Sequence, residues 1–456
     1  MSKNTVVACM CVAAVATALC RADDLEDLAR QNAELRKRVE MLEKELSQLK
    51  QIVLTQNGAV TTGRERGSAA ATSTAPSTDR PGKAAAPAPA ARPKKNVSSN
   101  LDIEIYGFLK ADASYDTSRS HPGNYVVYLD REDQRNNDDE FNVTANETRV
   151  GMRIKGPAES GFSAAGRLEV DFYGNYAAEN KAKIQMRHAY LTLDWPGDHF
   201  GILAGQTSDV ISPLVPRTLN YTVLWDAGNI GYRHPQVRVT KDFQVQKDIN
   251  VNLQAAISRT IGRNDLTGSE TGEDAGFPTV QGRIGLTFPG LGYKPATIGF
   301  SGHYGTEEYD PNTGGSNKDF ESWSLNLDLN QPVCSWLTVK GELFTGRDLD
   351  SYFGGIGQGV NTTRLHEIDS RGGWAAATLG PWDNWSFNIG CGIDDVDSDD
   401  VGTGDRVLNR SVFGNAIYHL DANTEIGVEL SHWKTEYRGP GDADDLRFQG
   451  SFIYRF

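Results

Sequence analysis

The residues with the clearest chemical reading are arginines. Arg149, Arg153, Arg167, Arg187 and Arg238 recur, with Lys155, along a stretch that also carries Glu169 and Asp171. A guanidinium is planar, permanently charged and able to grip a carboxylate through two parallel hydrogen bonds. Clustered in a confined, partly dehydrated space, such groups attract small carboxylates and hold them without transforming them. The segment from Ser208 to His234 adds Arg217 and Arg233, together with Pro213, Pro216, Tyr221, Trp225 and Asp226. Nothing supplies a catalytic set. The eight histidines (121, 188, 199, 234, 303, 366, 419 and 432) are scattered, and no Ser-His-Asp or metal-ligand spacing occurs. A hydrolase would need a nucleophile or an acid–base pair brought together at one site. No enzyme, metal or cofactor is therefore expected.

The acidic stretches read as solvent-facing. Asp130–Glu140 carries six carboxylates and Asp394–Asp405 six aspartates. Asp395, Asp397 and Asp399 have calcium-loop spacing, but Arg406 stands where the closing bidentate Glu belongs. Loops that share divalent cations with lipopolysaccharide fit better than a calcium site.

Arginines in a common space need a scaffold, and from residue 101 onward the hydrophobic period is two. Ile249, Val251, Leu253, Ala255 and Ile257 alternate with Asn250, Asn252, Gln254 and Ser258; Trp323, Leu325, Leu327 and Leu329 alternate with Ser324, Asn326, Asp328 and Asn330. Sixteen strands are predicted, beginning near residues 103, 147, 162, 182, 199, 235, 247, 278, 295, 319, 334, 371, 384, 410, 422 and 444. Their connections alternate short and long, the long ones being 116–146, 208–234, 259–277, 306–318, 347–370 and 395–409. An even strand number, short turns at one rim and long loops at the other define a transmembrane β-barrel. Trp195, Trp336, Trp382, Trp385 and Tyr293 fall near turn ends, where an interfacial girdle needs them. Phe448, Phe452, Tyr454 and Phe456 share one face of the last strand, which resembles the segment recognised by the barrel-assembly machinery of Gram-negative bacteria.

Strand parity sends Arg149, Arg153, Lys155, Arg167, Arg187 and Arg238 inward, with Glu169 and Asp171 among them. The long loop 208–234 is expected to fold into the barrel and narrow it. Lys110, Asp112, Asp328, Lys340, Glu342, Glu425 and Glu429 also face inward, so charge counting leaves an anion-selective and a non-selective pore both open.

Composition agrees with this scaffold and removes other classes. The 456 residues carry 46 basic and 60 acidic side chains, a formal charge of −14, which argues against a nucleic-acid partner. Hydrophobic residues make up only 38%, while 47 Gly, 17 Phe and 16 Tyr favour strands and turns. No run approaches the ~20 apolar residues of a helical membrane span, a criterion that leaves barrels untouched.

Ahead of the barrel (101–456) three segments are expected. Residues 1–22 read as a signal peptide, with Lys3, the apolar stretch Val6–Leu19 and small residues at Cys20 and Ala22; Leu19 disfavours a lipoprotein site at Cys20. Residues 23–55 read as an α-helical coiled coil. Leu25, Asn32, Val39, Leu46 and Val53 occupy a positions and Leu28, Leu35, Leu42 and Leu49 d positions, while Arg38 and Glu45 at g can pair with Glu43 and Lys50 at the following e positions, which favours a parallel homo-oligomer. Residues 56–100 read as a disordered Ala/Pro-rich linker with a basic excess, suited to a periplasmic tether that could touch peptidoglycan. Of the mature cysteines, Cys334 is expected to face inward and Cys391 outward, as two unbridged structural thiols.

At the level of motifs the chain resembles the DcaP-like trimeric outer-membrane porins. The residues that carry the resemblance are Glu147–Arg153 (ETRVGMR), Gly166–Gly174 (GRLEVDFYG), Arg187–Leu191 (RHAYL), Leu203–Thr207 (LAGQT) and Arg233–Arg238 (RHPQVR). The resemblance implies a homotrimer in the bacterial outer membrane, embedded in lipid and lipopolysaccharide, that passes small anions of the carboxylate type. It places Arg149, Arg153, Arg167, Arg187 and Arg238 among the basic residues concerned. The acidic outer loops depart from that pattern. The alternatives to an anion channel are a non-selective porin and a structural barrel that ties the outer membrane to the cell wall.

Overall fold

The computed structural model describes residues 102–134, 138–156, 161–174, 182–259, 275–291, 293–309 and 318–456. The expected signal peptide, coiled coil and linker lie outside them. The described chain is an antiparallel barrel of sixteen strands. These are β1 (Asp102–Asp116), β2 (Glu140–Thr144 and Arg149–Lys155), β3 (Ser163–Asp171), β4 (Gln185–Trp195), β5 (Phe200–Ser208), β6 (Arg233–Gln246), β7 (Ile249–Ser258) and β8 (Thr279–Phe288). They continue as β9 (Ala296–Tyr309), β10 (Lys318–Cys334), β11 (Leu337–Arg347), β12 (Asp369–Trp382), β13 (Trp385–Val396), β14 (Arg406–His419), β15 (Thr424–Tyr437) and β16 (Ala443–Arg455). Pairing of β1 with β16, from Phe108↔Arg455 to Asp116↔Arg447, closes the cylinder and leaves no free edge.

The expected starts fall close to the observed ones throughout. The exception is β2, whose first piece, Glu140–Thr144, lies within a segment read as loop. Both pieces pair with β1, and a turn closed by Thr148 N–H to Ala145 O interrupts them. Local turn chemistry at residues 145–148 therefore masked a continuous strand.

Burial is inverted relative to a water-soluble sheet. On β10, Leu325, Leu327 and Leu329 are exposed, whereas Ser324, Asn326 and Asp328 are buried. Phe300, Leu343, Val412 and Val428 continue the exposed apolar band around the wall. A surface greasy outside and polar inside is stable only with hydrocarbon around it. Cys391 is a free thiol on the outer face, so it does not bridge Cys334.

The interior is less wet than strand parity implied. Phe344, Trp374, Phe413 and Trp433 point inward and are buried. They pack against the loops that enter the barrel: Val126 and Leu129 from the first, Leu224, Ala227, Ile211 and Ile230 from the third, and Leu349 and Tyr352 from the sixth. The third loop, residues 209–232, crosses to the far wall so closely that only glycine fits at the contact. Gly228 has φ +115°, and a Cβ there would stand 2.2 Å from the Gly373 carbonyl oxygen and 2.7 Å from the Ile393 nitrogen. Gly228→Ala should therefore lower the thermal unfolding midpoint in detergent and alter single-channel conductance. Wild-type values for both would contradict this packing.

Candidate functional site

The third loop is held by inward carboxylates. Glu429 on β15 accepts from Thr218 Oγ1 at 2.6 Å and from the Leu219 N–H at 2.7 Å. Glu342 on β11 accepts from the Leu214 N–H at 2.7 Å and from Trp374 Nε1 at 2.9 Å. The Leu219 carbonyl accepts from Lys110 Nζ and Gln449 Nε2, each at 2.8 Å. Charges that sequence parity counted as free pore charges are thus consumed in positioning this loop.

Opposite the anchors, β2, β3 and β4 bring arginines together. Glu169, 1% exposed, accepts from Arg167 Nη2 at 2.5 Å, Arg187 Nε at 3.0 Å and Tyr106 Oη at 2.8 Å, with Arg149 Nε 3.6 Å away. Arg187 Nη1 also donates to Asp171 at 2.7 Å, and Tyr221 Oη of the loop donates to the same carboxylate oxygen at 3.1 Å. Three guanidinium groups thus share two carboxylates, which leaves local positive charge. The Tyr221 phenol is pushed up by burial and then by the Asp171 charge, so it stays a neutral donor.

Two arginines are incompletely paired. Arg233 is buried, yet its Nε and Nη2 have no hydrogen-bond partner, and Arg149 Nε also lacks one. The Arg233 guanidinium lies over the Tyr232 ring at 4.3 Å and near Trp225 at 5.7 Å. Buried donors of this kind are costly unless something else satisfies them. The loop's own carboxylates do not. Burial disfavours ionised Asp209, but His234, Gln281 and the Tyr232 N–H hold it below the usual carboxylate range. Asp226 Oδ1 accepts from the Gly357 N–H at 2.9 Å.

The loop divides the lumen into two chambers that meet at Tyr221, Trp225 and Tyr232. The inner chamber, about 350 Å³, is lined by six basic residues (Lys110, Arg149, Arg187, Arg217, Arg233 and Arg455) and three acidic ones (Glu147, Asp209 and Glu425). The outer chamber, about 550 Å³, is walled by aromatic rings.

Of the eight residues singled out from sequence, Arg149, Arg187, Arg217 and Arg233 line the inner chamber, while Arg167 and Asp171 brace it from behind through Glu169 and Arg187. Arg217 lies 3.7 Å from Glu425. Arg153 and Arg238 stand apart. Arg153 pairs with Glu104 at 3.1 Å and stacks on Tyr106 at 3.8 Å, and Arg238 donates to Gln236 and the Ser208 carbonyl. Parity gives the face of a strand but not the depth along it. Sequence reasoning passed over Lys110 as a loop anchor, Glu169 as the hub and Arg455 as a lining residue. Glu169 is legible only as the one acid flanked by arginines on neighbouring strands.

A closed sixteen-stranded barrel with an inserted third loop and charged chambers is an outer-membrane channel. Residues 88–273 match the family model described as DcaP outer membrane protein, so the resemblance read from motifs holds. The outer membrane channel DcaP of Acinetobacter baumannii is similar in structure at TM-score 0.64 and 19% identity, over 78% of this chain and 98% of that one. An anion-selective porin from Comamonas acidovorans follows at 0.51 and 12%, over 78% and 100%. The Salmonella typhi OmpF in complex with daunomycin gives 0.52 and 11%, over 78% and 98%. No curated protein matches. The match to that outer-membrane family model, together with the barrel fold, supports a place in the outer membrane and a channel rather than an enzyme.

Proposed function

We propose that this channel is an anion-preferring diffusion pore for small carboxylate-type solutes. The observation that carries the reading is the pair of underused guanidinium groups, Arg233 and Arg149, at a chamber where six basic residues outweigh three acidic ones. A carboxylate there would satisfy buried donors that otherwise have no partner. A non-selective pore would set loop carboxylates against the arginines. Here Asp209 and Asp226 are spent on His234 and Gly357, and Glu342 and Glu429 on the loop backbone. Proteoliposome swelling should therefore be several-fold faster with a small carboxylate than with a size-matched amine. Equal rates, or faster swelling with the amine, would overturn the anion reading.

The assembly we infer is a homotrimer, with the coiled coil and linker on the periplasmic side. On the outer wall, Gly166, Ala189 and Ala204 form a low patch beside exposed Leu191 and Leu168. The Gln206 amide sits among them and donates to the Met186 carbonyl at 2.7 Å. Small residues and an amide are poor partners for lipid and good ones for a second protomer. Native mass spectrometry in detergent should give three copies, and a monomer at all protein concentrations would contradict it.

A further inference from the structure

We propose that the solutes this channel holds best are aryl monocarboxylates, with the ring in the outer chamber and the carboxylate on Arg233. The inference rests on the anion reading above and narrows it. Rings form an unbroken series across the outer chamber: Tyr125 to Tyr173 at 4.9 Å, Tyr173 to Tyr221 at 4.3 Å, Tyr221 to Trp225 at 5.7 Å, and Trp225 to Phe353 at 4.4 Å. They come from four separate loops, the first, second, third and sixth, so the cage is built by tertiary folding rather than by one sequence motif. Its inner end is Tyr232 and Trp225, the two rings over which the Arg233 guanidinium lies, with two of its nitrogens unpartnered. Aromatic surface thus leads directly to an unsatisfied cation. A solute carrying an aromatic ring next to one carboxylate has the same two features in the same order.

The charges of the outer chamber decide against a second carboxylate. Among the described residues that line it, the acidic ones are Asp226 and Asp350, His121 and His234 stand beside them, and none is arginine or lysine. A dicarboxylate gripped by Arg233 would leave its other end among apolar rings, near like charge and short of water.

The test is single-channel recording of the full chain in planar bilayers, with benzoate, cyclohexanecarboxylate, succinate, glucuronate or benzylammonium added from the long-loop side. Benzoate should interrupt the current with dwell times about tenfold longer than cyclohexanecarboxylate, which has similar size and the same charge but no π face. Trp225→Leu and Phe353→Leu should each shrink the ratio between those two dwell times. A loop disturbance that affects both solutes alike cancels in the ratio. Equal dwell times for benzoate and cyclohexanecarboxylate, or longer ones for succinate or glucuronate, would overturn the proposal while sparing the anion reading. Dwell times for benzylammonium as long as those for benzoate would overturn the anion reading itself.

Discussion

The double substitution of Arg187 and Arg233 by Ala should reduce the preference for anions over cations about tenfold. The loss of even one charge-assisted hydrogen bond at the weak end of its range, roughly 1.5 kcal/mol, corresponds to a factor of about ten. Arg233→Ala alone should show most of the loss, because its Nε and Nη2 are uncommitted. Arg187→Ala also takes a guanidinium from two buried carboxylates, leaving Asp171 with Tyr221 and Glu169 with Arg167 and Tyr106. That single variant should move selectivity toward cations and soften the loop through Tyr221. Arg153→Ala is the control, since Arg153 pairs with Glu104 outside both chambers, and it should leave the ratio unchanged. A fall for Arg153→Ala equal to that for Arg233→Ala would place the selective step elsewhere.

The second large effect concerns the loop. Glu342→Ala with Glu429→Ala removes the acceptors for the Leu214 and Leu219 N–H groups and for Thr218, as well as the partner of Trp374 Nε1. Breaking such contacts inside a protein costs about 3 kcal/mol or more in total. The loop would then leave the far wall, where Gly228 and Gly392 allow its backbone to lie flush. The expected result is a conductance raised about twofold or more, with weakened ion selectivity and a barrel that still folds. Conductance identical to wild type would show that the loop is held by its apolar contacts alone. The glutamine versions keep one acceptor oxygen each and should fall between.

The barrel was legible because its signal is repeated in every strand. Alternation, loop lengths and turn residues recur sixteen times, and a misjudged boundary, as at residues 145–148, cannot shift the count. The site was legible only in part. Parity placed Arg149, Arg167 and Arg187 on the inner face, and their convergence on Glu169 follows from cross-strand neighbours such as Arg153↔Arg167 and Glu169↔His188. It could not show that Glu342 and Glu429 are committed to a loop distant in the chain, because that contact depends on how residues 209–232 cross the lumen. The inward-facing Phe344, Trp374, Phe413 and Trp433 were the available clue. Four large apolar residues at positions that should be wet mark where something docks. The aromatic cage is assembled from four loops and has no local signature.

The most direct measurement is the zero-current potential of the wild-type channel across a tenfold potassium chloride gradient in a planar bilayer. A sign and size that correspond to chloride permeating several times faster than potassium are expected from the incompletely paired guanidinium groups at the inner chamber. A potential of zero, or one of the sign that potassium sets, would contradict the account.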